Sequence, residues 1–96
     1  MKRGKEYLKW REEVLKRDGY TCVVCGHGKK YLNAHHLIPR NFKQFALCVD
    51  NGLTLCPGCH TLAPHSAHKN PIWFVSWMRK HRLGTLQLAE DRLDDL

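Results

Sequence analysis

Apolar positions change their spacing along the chain, and each change marks an element. Tyr7, Trp10 and Val14 recur at i, i+3 and i+7, with Leu8 and Leu15 beside them. That predicts an amphipathic helix over residues 4–18, ended by the Asp18-Gly19 turn. The next stretch, "YTCVVCG", reads as a strand entering a tight knuckle, with Gly26 and Gly28 as loop residues. "KYLNAHH" predicts a short strand and "LTL" at 53–55 a second. Between them, residues 37–52 form an irregular loop whose turn signals are Pro39, Asn41 and Asp50-Asn51-Gly52. A helix is expected to begin near Pro57 and to carry Cys59 and His60. Asn70-Pro71 is a capping residue followed by proline at the first helical position. With Trp73/Trp77 and Phe74/Met78 spaced i, i+4, it predicts a helix over 71–83 stopped by Gly84. These four large side chains read as core rather than as a base-stacking platform. "TLQLAEDRLDDL" has the composition of a last helix, but its acidic end opposes the helix dipole.

Short strands between helices make this an α+β chain, and 96 residues suffice for one small domain. Its core is expected at about 20–66, with flanking helices at about 4–18 and 71–83. A core of that size gains from a staple.

Sixteen Lys and Arg against nine Asp and Glu give a net charge of +7. Glu90, Asp91, Asp94 and Asp95 crowd the last seven residues, so residues 1–89 alone carry +10. Such a balance fits a polyanionic partner, and charge by itself fits a well-solvated surface equally. Lys2, Arg3, Lys5, Lys9, Arg11, Lys16 and Arg17 gather on the first helix, a face suited to gripping a nucleic-acid backbone. The N-terminal twenty residues are charged throughout, and no apolar run reaches the length of a membrane span. A reducing, cytoplasmic setting is expected, with the five cysteines as thiols or metal ligands rather than disulfides.

Cys22-Val-Val-Cys25 and Cys56-Pro-Gly-Cys59 are two CxxC pairs thirty residues apart. Each pair can grip one side of a tetrahedral ion, and together they close a four-thiolate shell around Zn²⁺. Such a site has no open position and is structural. A redox dithiol or plain buried thiols are the other readings of a CxxC taken alone. Cys48 is left over as a buried or loop thiol, and His27 is a spare beside a shell that is already full. With zinc bound to four thiolates the chain is still basic, at about +5.

Two adjacent histidines, His35 and His36, lie between the cysteine pairs, and adjacent side chains on a strand point to opposite faces. They are therefore unsuited to be twin ligands of one ion. Asn51 precedes Gly52, and His60 follows the last cysteine. Singly, these read as a surface histidine pair, a turn asparagine and a helix histidine.

Together, Ala34-His35-His36-Leu37-Ile38-Pro39, Asn51-Gly52-Leu53-Thr54-Leu55-Cys56 and Cys59-His60 resemble the HNH endonuclease family, of the ββα-metal type. The likeness runs over roughly residues 10–62, and short members of this kind are similar to proteins encoded by phages and prophages. It implies two antiparallel strands and a helix as the core, with the zinc knuckle at its base. The implied roles are His36 as general base, His35 and His60 as ligands of one catalytic divalent ion, and Asn51 as the residue that holds the loop. The implied reaction is DNA phosphodiester hydrolysis leaving 5′-phosphate and 3′-hydroxyl ends, in a bacterial or virus-infected host cell.

His35 stands where the family more often has aspartate, which leaves the ion with imidazoles and no carboxylate. Mn²⁺, Ni²⁺ or Co²⁺ is therefore expected to serve at least as well as Mg²⁺. Arg40, Lys9, Lys16, Arg17 and His68 are candidate DNA contacts. For His65 and His68, a solvated loop position is favoured over a place at the metal. A lone site predicts nicking by a monomer. The rivals are a non-catalytic zinc-ribbon nucleic-acid-binding module and a nuclease active only within a phage packaging or recombination complex.

Overall fold

The computed structural model describes residues 4–28 and 30–96. Lys2 and Arg3, expected among the cations of the first helix, lie outside them. Helix α1, Lys5–Arg17, turns Trp10, Val14 and Leu15 inward, and its charges suit its dipole, with Glu6 in the first turn and Lys16 and Arg17 in the last. Strand β1, Asn33–His36, pairs antiparallel with β2, Gly52–Leu55. The register sets His35 opposite Leu53 and His36 opposite Gly52. Helices α2, Pro71–His81, and α3, Leu83–Leu93, follow. The result is the small α+β fold expected, a two-stranded hairpin flanked by helices.

The hairpin has two faces. His36 meets Trp10 of α1, and Thr54 reaches the Val14 carbonyl on the same side. On the other face His35 meets Phe74 of α2. Gly52 makes the first contact possible. A Cβ there would lie 2.6 Å from Cζ2 of Trp10 and 2.8 Å from Cγ2 of Val14. Glycine therefore admits the indole that backs His36.

Several expected boundaries move. The strand at "YTCVVCG" shrinks to one bridge between Thr21 and Gly28, because the intervening residues fold into the knuckle. There the Gly26 N–H donates to the Cys22 carbonyl at 2.9 Å, with Gly26 at φ +78°, a value glycine takes freely. The strand in "KYLNAHH" starts only at Asn33, since Tyr31 at φ +61° leaves the extended region. The helix near Pro57 is a five-residue π-helical turn, Gly58–Leu62. Pro64 holds Ala63 extended, at ψ 154°, and ends it there.

Gly84 does not stop the helix that begins at Pro71. The break falls at Arg82, and Gly84 sits in the first turn of α3. The tail does become helical, acidic end included. Leu86 and Ala89 bury one face of it, and Arg92 forms a bidentate ion pair with Asp50. Arg92 also lies over the Phe45 ring, so α3 clasps the loop that precedes β2.

Candidate active site

The four knuckle cysteines converge. Their sulfurs all lie within 4.8 Å of one another, and Cys25 and Cys56 are 3.6 Å apart. Four thiolates at about 2.3 Å from one zinc ion stand about 3.8 Å from each other, so the shell has the size of a tetrahedral zinc site. Its electrostatics favour a cation. Burial opposes ionisation of Cys22, but the backbone N–H groups of Cys25, Cys56 and Val24 outweigh it and hold its thiol below the ordinary range. Burial pushes Cys59 up, and the Cys22 thiolate beside it pushes further. Burial also raises Cys25, with Cys56 and Cys22 adding to it. The Cys22 thiolate forms readily while Cys25 and Cys59 resist, which is the situation a dication resolves. The Cys59 N–H reaches the Cys56 sulfur at 3.5 Å. Cys48 stands apart, against the Gln44 carbonyl.

A second cluster is built of imidazoles. His35 on β1, His60 on the π-helical turn and His68 in the following loop bring ring nitrogens within 4.8 Å of one another. His60 Nε2 and His68 Nε2 are 3.0 Å apart. Ligand nitrogens at about 2.0–2.1 Å from a single ion stand roughly 3.0–3.4 Å apart, so the spacing fits a shared metal. His68 arrives because its loop folds back on the turn. Its N–H donates to the His60 carbonyl at 3.0 Å, and the Ala67 N–H to the Cys59 carbonyl at 2.8 Å. His68 is an exposed loop residue, as expected, and the fold also brings it beside His35 and His60, where it can serve as a third donor. His65 stacks on Trp73 and is outside the cluster.

His35 and His60 are disposed to the neutral form that metal ligation requires. Burial, then the neighbouring His60, His68 and His36, pushes His35 down to about 3. His60 is lowered by burial and by His68.

His36 points the other way and is held from two sides. Its ring lies against Trp10 at 3.9 Å between centroids and 9° between planes. Its Nε2 is 2.9 Å from the Ala46 carbonyl oxygen. A carbonyl only accepts, so Nε2 carries the proton and the Nδ1 lone pair is left available. Burial lowers its pKa, the Ala46 bond opposes this, and Arg40 lowers it further. The Trp10 indole N–H in turn donates to the Cys48 carbonyl at 2.7 Å.

Asn51 is 1% exposed and ties the loop together. Its Oδ1 accepts from the Ile38 N–H at 2.9 Å, and its Nδ2 donates to the Ile38 and Phe45 carbonyls at 3.0 and 3.2 Å. Phe45 adjoins Ala46, so the asparagine fixes the carbonyl that orients His36.

His35, His36, His60, His68 and Arg40 line one open cleft of about 760 Å³. Lys9 and Lys16 are exposed on α1. Arg17, exposed on α1 as well, is engaged within the chain. It donates to the Asp18 carboxylate and to the Val49 and Gly52 carbonyls, and so acts as a strut between α1 and the start of β2.

Residues 22–62 match the family model described as HNH endonuclease. The chain is similar to Anaredoxin of Nostoc sp. (strain PCC 7120), 38% identical over 60 residues that take in 62% of this chain and 78% of that protein. It is also similar to a probable HNH endonuclease of Lactococcus phage SK1, 37% identical over 62 residues, 58% of this chain and 66% of the phage protein. No solved structure matches the chain significantly.

Proposed function

The chain belongs to the HNH endonuclease family and is a metal-dependent nuclease of that type, and on this premise we propose that His36 is its general base and that His35, His60 and His68 hold its catalytic ion. The observation that carries the assignment is the bond from His36 Nε2 to the Ala46 carbonyl. It leaves Nδ1 free to take a proton from water, while Trp10 fixes the plane of the ring. Asn51 acts through the loop and positions the base. Arg40, exposed at the cleft, supplies positive charge for a phosphate. A divalent ion, when bound by the three imidazoles, supplies charge to the phosphoryl oxygens and to the departing 3′ oxygen.

Three nitrogen donors and no carboxylate suit Mn²⁺, Co²⁺, Ni²⁺ or Zn²⁺ better than Mg²⁺, which prefers oxygen. One such site handles one strand at a visit, so the product from supercoiled plasmid is the nicked circle. The four-thiolate shell is structural. By ligand type it accepts iron as well as zinc, so metal analysis of the purified protein accompanies the assay.

The test is cleavage of supercoiled plasmid by the wild type and His36→Ala across Mg²⁺, Mn²⁺, Ni²⁺, Co²⁺, Zn²⁺ and EDTA. The expected result is metal-dependent nicking that falls by about 10²–10⁴-fold in the variant, with fold and zinc content unchanged. Linear product without a nicked precursor would overturn the one-strand reading. A clear Mg²⁺ preference would overturn the metal assignment. Retardation of DNA with no cleavage by any metal would favour a binding module, or a nuclease completed by phage packaging or recombination proteins.

A further inference from the structure

Only part of the cleft resembles a groove for a polyanion. One part of its lining carries the imidazoles and Arg40, and the part from α2 and α3, which meets it where Phe74 touches His35, is an apolar wall. Phe74, Met78 and Leu86 form its floor, while Val75 and Leu93, 37% and 53% exposed, stand at its rim. The two walls meet at the metal cluster, where the Phe74 ring lies edge-on to His35 at 5.4 Å. The titratable group in the apolar wall is Glu90, a carboxylate, which repels phosphate and accepts N–H donors.

A continuous duplex has nothing to put there. Its exterior presents phosphates, and its base faces are stacked inside. An unpaired base offers an apolar face on one side of its sugar and a phosphate on the other, the same pairing of chemistries as the two walls. The cleft, at about 760 Å³, falls within the roughly 300–1,000 Å³ of sites that take small organic groups.

We propose that this wall receives an unpaired nucleobase next to the scissile phosphate, so that the substrate is DNA bearing an unpaired strand, such as a flap, gap or mismatch bubble. The proposal rests on the nuclease reading above and narrows its substrate.

The test compares one labelled sequence presented as single strand, flap, mismatch bubble and continuous duplex, under the metal that best supports plasmid nicking. The unpaired forms should be cut with kcat/KM at least about tenfold above duplex, the lower range of what stacking one base contributes. Val75→Trp, at the rim, crowds the cleft and should bring that ratio toward one. A measurement that needs no cleft variant uses His36→Ala protein and oligonucleotides carrying 2-aminopurine. Emission should change for the base flanking the cleavage position and not for a distant one. Equal rates on duplex and unpaired DNA, or equal emission changes at both positions, would overturn the proposal while leaving the nuclease reading intact. A concentration-dependent dimer that Val75→Trp disrupts, with no change in the substrate ratio, would assign the wall to a second copy of the chain and overturn it too. Cleavage of no substrate with any metal would overturn the proposal together with the reading of the chain as a nuclease active on its own.

Discussion

The segment Cys56–His60 serves two metal clusters of opposite character. Cys56 and Cys59 complete a shell of four sulfurs, and His60, the next residue, belongs to a group of three imidazoles. The sulfur shell has as many donors as a tetrahedral ion needs, and Cys22 and Cys56 are buried. The imidazole group has one donor fewer, and it opens on the cleft. A full shell leaves an ion nothing to do but hold chain together, whereas an incomplete one leaves places for substrate. The first cluster fixes where the second can stand, because the knuckle at Cys56–Cys59 sets the direction in which His60 leaves β2.

The comparison breaks most sharply at the sulfurs. Zinc in comparable modules contributes on the order of 10 kcal/mol of folding free energy, against a total stability of about 5–15 kcal/mol for a domain. Cys56→Ser, or removal of zinc by a strong chelator, should therefore abolish cooperative unfolding in circular dichroism. His60→Ala should leave a cooperative transition and one tightly held zinc ion. A Cys56→Ser protein that melted as cooperatively as the wild type would mean that the sulfurs do not carry the fold.

The imidazole cluster is sharpened by His68→Ala. A third nitrogen donor should matter by at least the roughly 10–100-fold in metal affinity that loss of an outer hydrogen-bonding partner costs. Calorimetric titration of Mn²⁺ or Ni²⁺ into the zinc-loaded variant reads this directly. The variant should keep its thiolate-bound zinc and its fold. Unchanged affinity would return the site to two protein ligands, His35 and His60.

How much of this was legible in the sequence follows the same division. The sulfur shell is written in local spacing, since each CxxC closes its own knuckle and the pairs need only meet. His35, His36, Asn51 and His60 were legible through their joint order, and the strands explain the split between the two adjacent histidines. His68 reads as the exposed loop residue it is, but its nearness to His60 was not legible, because that depends on a chain reversal, with 67 and 68 bonded back to 59 and 60. The available signal was the pair of prolines, Pro64 and Pro71, bracketing a short histidine-rich loop. Arg17 looked like one more cation on a basic helix, because nothing local announces carbonyls at Val49 and Gly52 that need a donor. The same is true of Trp10, whose apolar spacing placed it in the core but did not show it stacked on His36. The last helix was doubtful on dipole grounds until its partner, Asp50, was placed beside Arg92.

The smallest expected effect concerns the strut that joins the two regions. Asp18 accepts from Arg17 and from the Thr54 N–H at 2.9 Å, two residues ahead of Cys56. Burial works to raise its pKa, but the Arg17 and Thr54 bonds outweigh it and hold the carboxyl below 3.8. A carboxyl lowered on folding contributes stability that is fully present above its unfolded value and is lost as pH falls through the folded one. The stability difference between wild type and Asp18→Asn should therefore be flat between about pH 5 and 8, and of the order of 1.5–3 kcal/mol for charged hydrogen bonds. It should shrink only below the ordinary carboxylate range. Denaturant titration of both zinc-loaded proteins across that interval measures it. A difference that already changes near pH 6 would point to a histidine rather than to Asp18. If plasmid nicking fell further than stability did, the strut would be more than a brace. It would be transmitting its position through Arg17 and Gly52 to the loop that holds His36.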